Sequence, residues 1–200
     1  YISEFKGGGK EAITVRQLLT HTSGLRPGVT KMPSWKGADT AIRLACEEQL
    51  QAPPGKVFRY SDINFFLLGE VVQRVTGRKF EEFCARELYE PLWMVDTGFL
   101  PPKEKLARIA PTEPADGVML RGTVHDPTAR FMGGVAGHAG LFTTAADLSR
   151  YARMLLEGGE LDGVRVFKPE TVALMTAVQT PPNMVARRGL GWDIDSGYAR

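Results

Sequence analysis

A mostly helical α+β fold is what this sequence predicts, and three observations carry the expectation. Helix entrances recur along the chain, from Thr14 to Pro169. Behind them apolar residues repeat at helical spacing, most densely in FFLLGEVVQRVTG, Phe65 to Gly77. Strand-like alternation shows only near the end, in GLGWDID from Gly189 to Asp195.

The elements follow in order. In ITVRQLL, Thr14 and Gln17 form a capping box, and Ile13 can staple onto Leu18. This short helix stops at HTSG, where Gly24 is the terminator. A loop with Pro27, Pro33 and Gly37 leads to DTAIRLACEEQL, a second helix ended by the Pro53-Pro54-Gly55 turn. A third runs from Asp62 to Thr76 with Gly77 just past its end, and its nearly continuous apolar surface predicts burial. KFEEFCARELY makes a fourth, stopped by Pro91. From Pro91 to about Phe131 the chain reads as loop. Thr144 and Asp147 open a fifth helix, with Leu148, Tyr151, Ala152 and Leu155 on one face and Gly158 beyond it. Pro169 marks the first turn of a sixth, PETVALM. Cys46 and Cys84 fall inside helical patterns and read as small buried hydrophobes.

Composition bounds the function. At 200 residues, 43% hydrophobic and 24% charged, the chain has the make-up of one soluble globular domain, taken over 1–200 as a single, partial unit. Its 25 basic and 23 acidic side chains leave +2, which provides no electrostatic footprint for nucleic acid. No stretch approaches the roughly 18 apolar residues of a membrane span. YISEFKG at one end and DSGYAR at the other read as interior phrases of a longer chain, without a starting Met or a secretory leader. Common motifs are missing. GGGKE, from Gly7 to Glu11, lacks the Ser or Thr of a phosphate loop, and GGVAGHAG, from Gly133 to Gly140, lacks dinucleotide spacing. No Gly-x-Ser-x-Gly elbow occurs. His21, His125 and His138 have no ligand-like spacing, so neither a metal nor a cofactor is expected.

RYSDINF, from Arg59 to Phe65, has a plain structural explanation. With Ser61 as N-cap, Tyr60 precedes it and Phe65 is the fourth helical residue, which makes a hydrophobic staple. Its flanks add a second one. ITVRQLLTHTSGL, PGKVFRYSDINFFLLGEVVQRVTG and GGVAGHAGLFTTAADLSRYARMLLEGG, in that order, resemble serine hydrolases related to class C β-lactamases, D-Ala-D-Ala carboxypeptidases and esterases of the same fold. The resemblance covers most of the chain. It implies a β-lactamase/transpeptidase-like α+β fold, of which these residues are mostly the helical region with the start of a sheet strand near the C-terminus.

In that family a Tyr-x-Asn motif lies after a Pro-Gly turn and before a buried helix. Tyr60 matches the tyrosine, and Asp62 stands where Asn is usual. A serine nucleophile needs a base and its leaving group a proton, and a helix entrance favours the phenolate form of a nearby tyrosine. The resemblance therefore implies a catalytic Tyr60 and a substrate-facing Asp62. His138 and Gly140 are either substrate contacts or parts of a glycine segment passing close beneath the cleft. Trp35 either borders the pocket or covers surface. The family's Ser-x-x-Lys nucleophile has one literal match, Ser3-Glu4-Phe5-Lys6, but Gly7-Gly8-Gly9 follows and cannot sustain the helix that must hold both side chains. The phrase instead resembles the family's Tyr-Leu-Pro segment. The nucleophile, and the Lys/His-Thr-Gly edge strand, are thus expected outside these residues, which would be inactive alone. The implied function is acyl-enzyme hydrolysis of an ester, amide or peptide bond in a small-molecule or peptide substrate, in the periplasm, cell envelope or outside the cell. The alternative is a non-catalytic relative that binds cell-wall peptide or a partner protein.

Overall fold

The computed structural model describes residues 1–31, 34–115 and 117–195. Helix α1 (Val15–Leu19) opens with the expected capping box: the Thr14 side chain accepts from the Gln17 N–H, and the Gln17 side chain accepts from that of Thr14. Helix α2 (Ala38–Glu47) is shorter than its pattern and ends where Glu48 takes up extended backbone. Lys10 is buried and donates to the carbonyls of Cys46 and Glu48, meeting the unpaired acceptors and the negative dipole end of the helix. Lys10 of GGGKE is therefore a helix cap.

Helix α3 (Asp62–Thr76) has the expected bounds, with Gly77 in the left-handed conformation closing it. It is the central strut, touched by α1, α2 and the following helix. Only its first half is deeply buried, through Ile63, Phe66, Leu67 and Gly69, while Val75 near the end is 62% exposed. The all-round burial read from its composition is corrected here, because α3 projects past the elements that cover it. Helix α4 (Phe80–Cys84) passes into a single π-helical stretch, Ala85–Tyr89, where a continuous α-helix was expected.

The segment that reads as loop contains β1 (Gly98–Phe99), a 3-10 stretch (Lys103–Arg108), β2 (Pro114–Ala115), β3 (Val118–Met119) and α5 (Pro127–Phe131). Helix α5 corrects the loop reading: Asp126 caps the Ala129 N–H at 2.7 Å and Pro127 fills the first turn. Then come β4 (Leu141–Phe142), α6 (Ala145–Leu156), β5 (Glu160–Leu161), β6 (Val164–Arg165), α7 (Pro169–Thr176), β7 (Arg187–Arg188) and β8 (Asp193–Asp195). Among the described residues the strands make only two-stranded antiparallel ribbons, β1–β4, β2–β3, β5–β6 and β7–β8, the last with a register shift. The chain is α+β with its helices dominant.

Thr144 caps α6 as expected, accepting from Asp147 N–H at 3.1 Å. The inward face differs. Tyr151 and Leu155 pack inward as expected, but Leu148 and Ala152 are exposed, and Asp147 and Met154 are the buried residues of the helix. The reason is the Asp147 carboxylate, which is buried because Asp96 N–H and the Thr97 hydroxyl each donate to it at 2.8 Å. That anchor puts Asp147 on the inward face beside Tyr151 and Met154. Two cores result. One joins α1, α2, α3 and α5 around Leu25, Ile63 and Phe66, and the other joins α4, its π extension, α6 and β5 around Leu92, Met154 and Leu161. Cys84 is buried in the second, and Cys46 lies partly buried against the first.

Candidate active site

The entrance of α3 is assembled from the segment 20–27. Backbone bonds from Gly55 N–H to Thr22 O (2.7 Å), Arg59 N–H to His21 O (2.8 Å) and Asp62 N–H to Pro27 O (2.8 Å) lay it alongside RYSD. His21 has φ 55°, a left-handed conformation that a non-glycine residue holds only under surrounding constraint. The constraint is a buried network. Ser61 N–H (3.1 Å) and the Asn64 amide (3.2 Å) both point at His21 Nδ1, and the Ser23 hydroxyl donates to Asn64 Oδ1 at 2.6 Å. With Asn64 Oδ1 acting as acceptor, its nitrogen is the donor, so two donors meet Nδ1 and the imidazole proton sits on Nε2. Burial, and then the positive charge of Arg188, push the His21 pKa down to about 4. His21 is a neutral strut.

Tyr60 rests on that strut. Its ring stacks on the imidazole with centroids 4.2 Å apart, and Phe65, another ring partner of His21, lies at 5.0 Å. The expected staple from Tyr60 to Phe65 therefore runs through an inserted imidazole. Ser61 occupies the N-cap position without capping through its side chain; its hydroxyl donates to Arg26 O at 2.6 Å. Tyr60 remains 59% exposed, although its neighbours Ser61 and His21 are fully buried.

Asp62 opens the first turn of α3 and is half-buried. Burial raises its carboxyl pKa and nearby Asp126 adds to this, against the pull of His138 and Lys31. His138 Nε2 lies 3.0 Å from Asp126 Oδ1, and the His138 side chain is only 5% exposed, edge-on to Phe66. Burial alone would raise the Asp126 pKa, but the bonds from His138 and Ala129 N–H bring it down to about 2. One ligand atom from each of Asp62, Asp126 and His138 lies within 4.8 Å of the others. Spacing along the chain, the ground for expecting no metal, does not register such a convergence. His125 is separate, exposed and paired with Glu113 at 3.2 Å.

The segment 133–140 crosses α3 closely. A Cβ on Gly137 would lie 2.2 Å from Phe65 O. Gly140 has φ 109°, and a Cβ there would lie 2.4 Å from Gly134 O. It lines a cavity of about 640 Å³ together with Asp96, Lys105, Arg108, His125 and Thr144. Tyr60, Asp62 and His138 do not line that cavity. Trp35 packs against the first core, donating to Thr30 O at 2.7 Å and meeting Phe131 edge-on. Ser3 and Lys6 lie in an exposed turn outside any helix, and the Ser3 hydroxyl donates to Glu4. Sequence reasoning passed over His21, Asn64 and Asp126. The HTSG phrase, the asparagine inside RYSDINF and the Asp-Pro helix start were their signals.

The helix-dominated α+β frame is shared with solved β-lactamase-like structures, and comparison with known proteins shows the family. The Beta-lactamase family profile matches residues 1–198, and the chain belongs to that family. A protein of Escherichia coli K12 provisionally named a D-alanyl-D-alanine carboxypeptidase is 32% identical, over 94% of this chain and 48% of its own length. The crystal structure of a provisionally named β-lactamase from Bacteroides dorei is 27% identical, with a TM-score of 0.70 over 92% of this chain and 48% of that one. A β-lactamase/D-alanine carboxypeptidase from Pseudomonas syringae shares the fold at 19% identity and a TM-score of 0.71, covering 96% of this chain and 51% of its own. The chain spans about half the length of the curated relatives it matches. Among the described residues no helix is long and apolar enough to cross a membrane.

Proposed function

We propose that the protein is a serine hydrolase that acts through an acyl-enzyme on an ester, amide or peptide bond, with Tyr60 as its general acid–base group. The observation that carries this is a reachable phenol on a fixed base. Tyr60 is 59% exposed, yet its ring lies on the buried His21 at the entrance of α3. A proton-transfer group needs that combination of access and fixed position. In this reading the Ser-x-x-Lys pair comes from sequence outside residues 1–200, and Asp62, His138 and Gly140 belong to the substrate side. The names of the relatives make peptides ending in D-alanine the first substrates to try. They also support a location in the cell envelope, the periplasm or outside the cell.

The nucleophile assignment is tested directly. A fluorophosphonate applied to the full-length protein is expected to acylate a serine other than Ser3, and Ser3→Ala to leave turnover unchanged. Mass spectrometry that placed the label on Ser3 would overturn it.

Asp62 sets a preference among substrates. An amide at this position both donates and accepts, whereas a carboxylate only accepts and repels carbonyl-rich or acidic groups. Penicillin-like substrates are therefore expected to be poor and simple esters or amine-bearing peptides better. Asp62→Asn should shift the ratio of kcat/KM toward β-lactams at little cost in stability; an acid in the first helical turn contributes only about 0.3–1 kcal/mol. Efficient penicillin hydrolysis by the unaltered full-length enzyme would sink this reading.

A further inference from the structure

We infer that Arg188 is a positioning residue for Tyr60: its buried guanidinium, packed on Phe58, keeps His21 the hydrogen-bond acceptor on which the tyrosine rests. Four side chains run in a row from β7 to the phenol. The guanidinium carbon of Arg188 lies 5.8 Å from the centre of the Phe58 ring, Phe58 meets the imidazole edge-on at 6.2 Å, and the imidazole stacks on Tyr60 at 4.2 Å. The far end of the row is fixed. Arg188 O accepts from Gln179 N–H at 2.7 Å, and Arg188 N–H donates to Thr180 Oγ1 at 3.2 Å. The turn after β7 reaches the end of α1, where Gly191 N–H donates to Leu19 O at 3.1 Å.

A second observation singles out this arginine. It is only 8% exposed, and a charge so buried is normally met by close hydrogen-bonding partners. Here Nε is buried without a hydrogen-bond partner among the described residues, and the pairing of Nη1 with Asp193 is long, at 3.8 Å. A tight ion pair therefore does not account for the residue, whereas the Phe58 ring lies within cation–π reach. The chemistry follows from the donors at His21. Ser61 N–H and the Asn64 amide both point at Nδ1, so that nitrogen has to keep its lone pair. A proton there would face two donors at hydrogen-bond distance and force Ser61 and Asn64 away from beneath Tyr60. The groups against the imidazole are these two donors, the rings of Phe58, Tyr60 and Phe65, and the Arg188 cation from β7. Burial disfavours the extra proton first, and the Arg188 charge adds to it. The inference rests on Tyr60 as the acid–base group.

The test follows the ring ¹⁵N resonances of His21 against pH in the full-length protein, in Arg188→Met and in Arg188→Lys. The unaltered protein is expected to carry the proton on Nε2 and to titrate near 4. Arg188→Met should raise the midpoint toward the ordinary histidine value of 6.5, and Arg188→Lys, which restores the charge, should keep it low. A higher midpoint brings imidazolium within reach of mildly acidic solution, so hydrolysis should follow. The ratio of kcat/KM at about pH 5 to that at about pH 7.5 is expected to fall by about 2–10-fold in Arg188→Met, the loss that a midpoint of about 5–6 gives. Arg188→Lys should keep the parental ratio. A midpoint near 6.5 in the unaltered protein, readable even if a variant fails to fold, would overturn the assignment. So would an unmoved midpoint in Arg188→Met, or equal losses at acid pH in the Met and Lys variants. The titration needs no turnover, so it succeeds or fails separately from the acid–base reading of Tyr60.

Discussion

Tyr60→Phe is expected to keep the fold and lose hydrolysis by about 10²–10⁴-fold, the usual contribution of a general acid–base group. The substitution retains the ring that stacks on His21 at 4.2 Å and removes only the hydroxyl. His21 keeps its donors from Ser61 and Asn64, so the entrance of α3 has no reason to rearrange. The measurement is kcat/KM on a chromogenic ester in the full-length protein, with the melting temperature as the control for folding. A Phe variant that turns over at the parental rate would make Tyr60 a packing residue only.

Gly137→Ala is expected to cost about 1–3 kcal/mol, the range for forced overpacking. The added Cβ would lie 2.2 Å from Phe65 O and 3.2 Å from Gly69 N, and both atoms belong to the backbone of α3. Neither can swing aside as a side chain would, so the helix and the crossing segment must part. Melting should fall by about 2–4 °C for each kcal/mol in a chain of this size. Gly98→Ala serves as the control, because a methyl added there would meet nothing within 4 Å and the φ of Gly98 is not positive. Equal melting of the Gly137 variant and the parent would show that the crossing is loose. Because His138 is the next residue, a real separation should also disturb its pairing with Asp126.

Local signals were readable in advance because the interactions behind them close within one helical turn. The Thr14–Gln17 box, the Thr144–Asp147 cap and the Gly77 stop each involve residues at most four apart in the chain, and the structure has all of them. The helix at Asp126-Pro127 carried an equally local signal, obscured by the prolines around it. The resemblance built on RYSDINF and its flanks likewise identified the family, since it rested on contiguous phrases.

The inward face of α6, the staple at Tyr60 and the cluster at Asp62 were decided by tertiary structure. Apolar counting favours Leu148 and Ala152 on α6, but a buried carboxylate needs its donors, and those come from Asp96 and Thr97 in a distant segment. Tyr60 and Phe65 sit at staple spacing, but only the packing of α1 against α3 inserts His21 beside both rings. Asp62, Asp126 and His138 belong to three segments with no common period, and their meeting depends on Gly137 letting the chain cross α3. The sequence by itself thus determined the family, the helix starts and the position of Tyr60, all set by neighbours along the chain. Which side chains meet at the entrance of α3 was left to the fold, because hydrogen bonds and close backbone contacts between distant segments are satisfied in space.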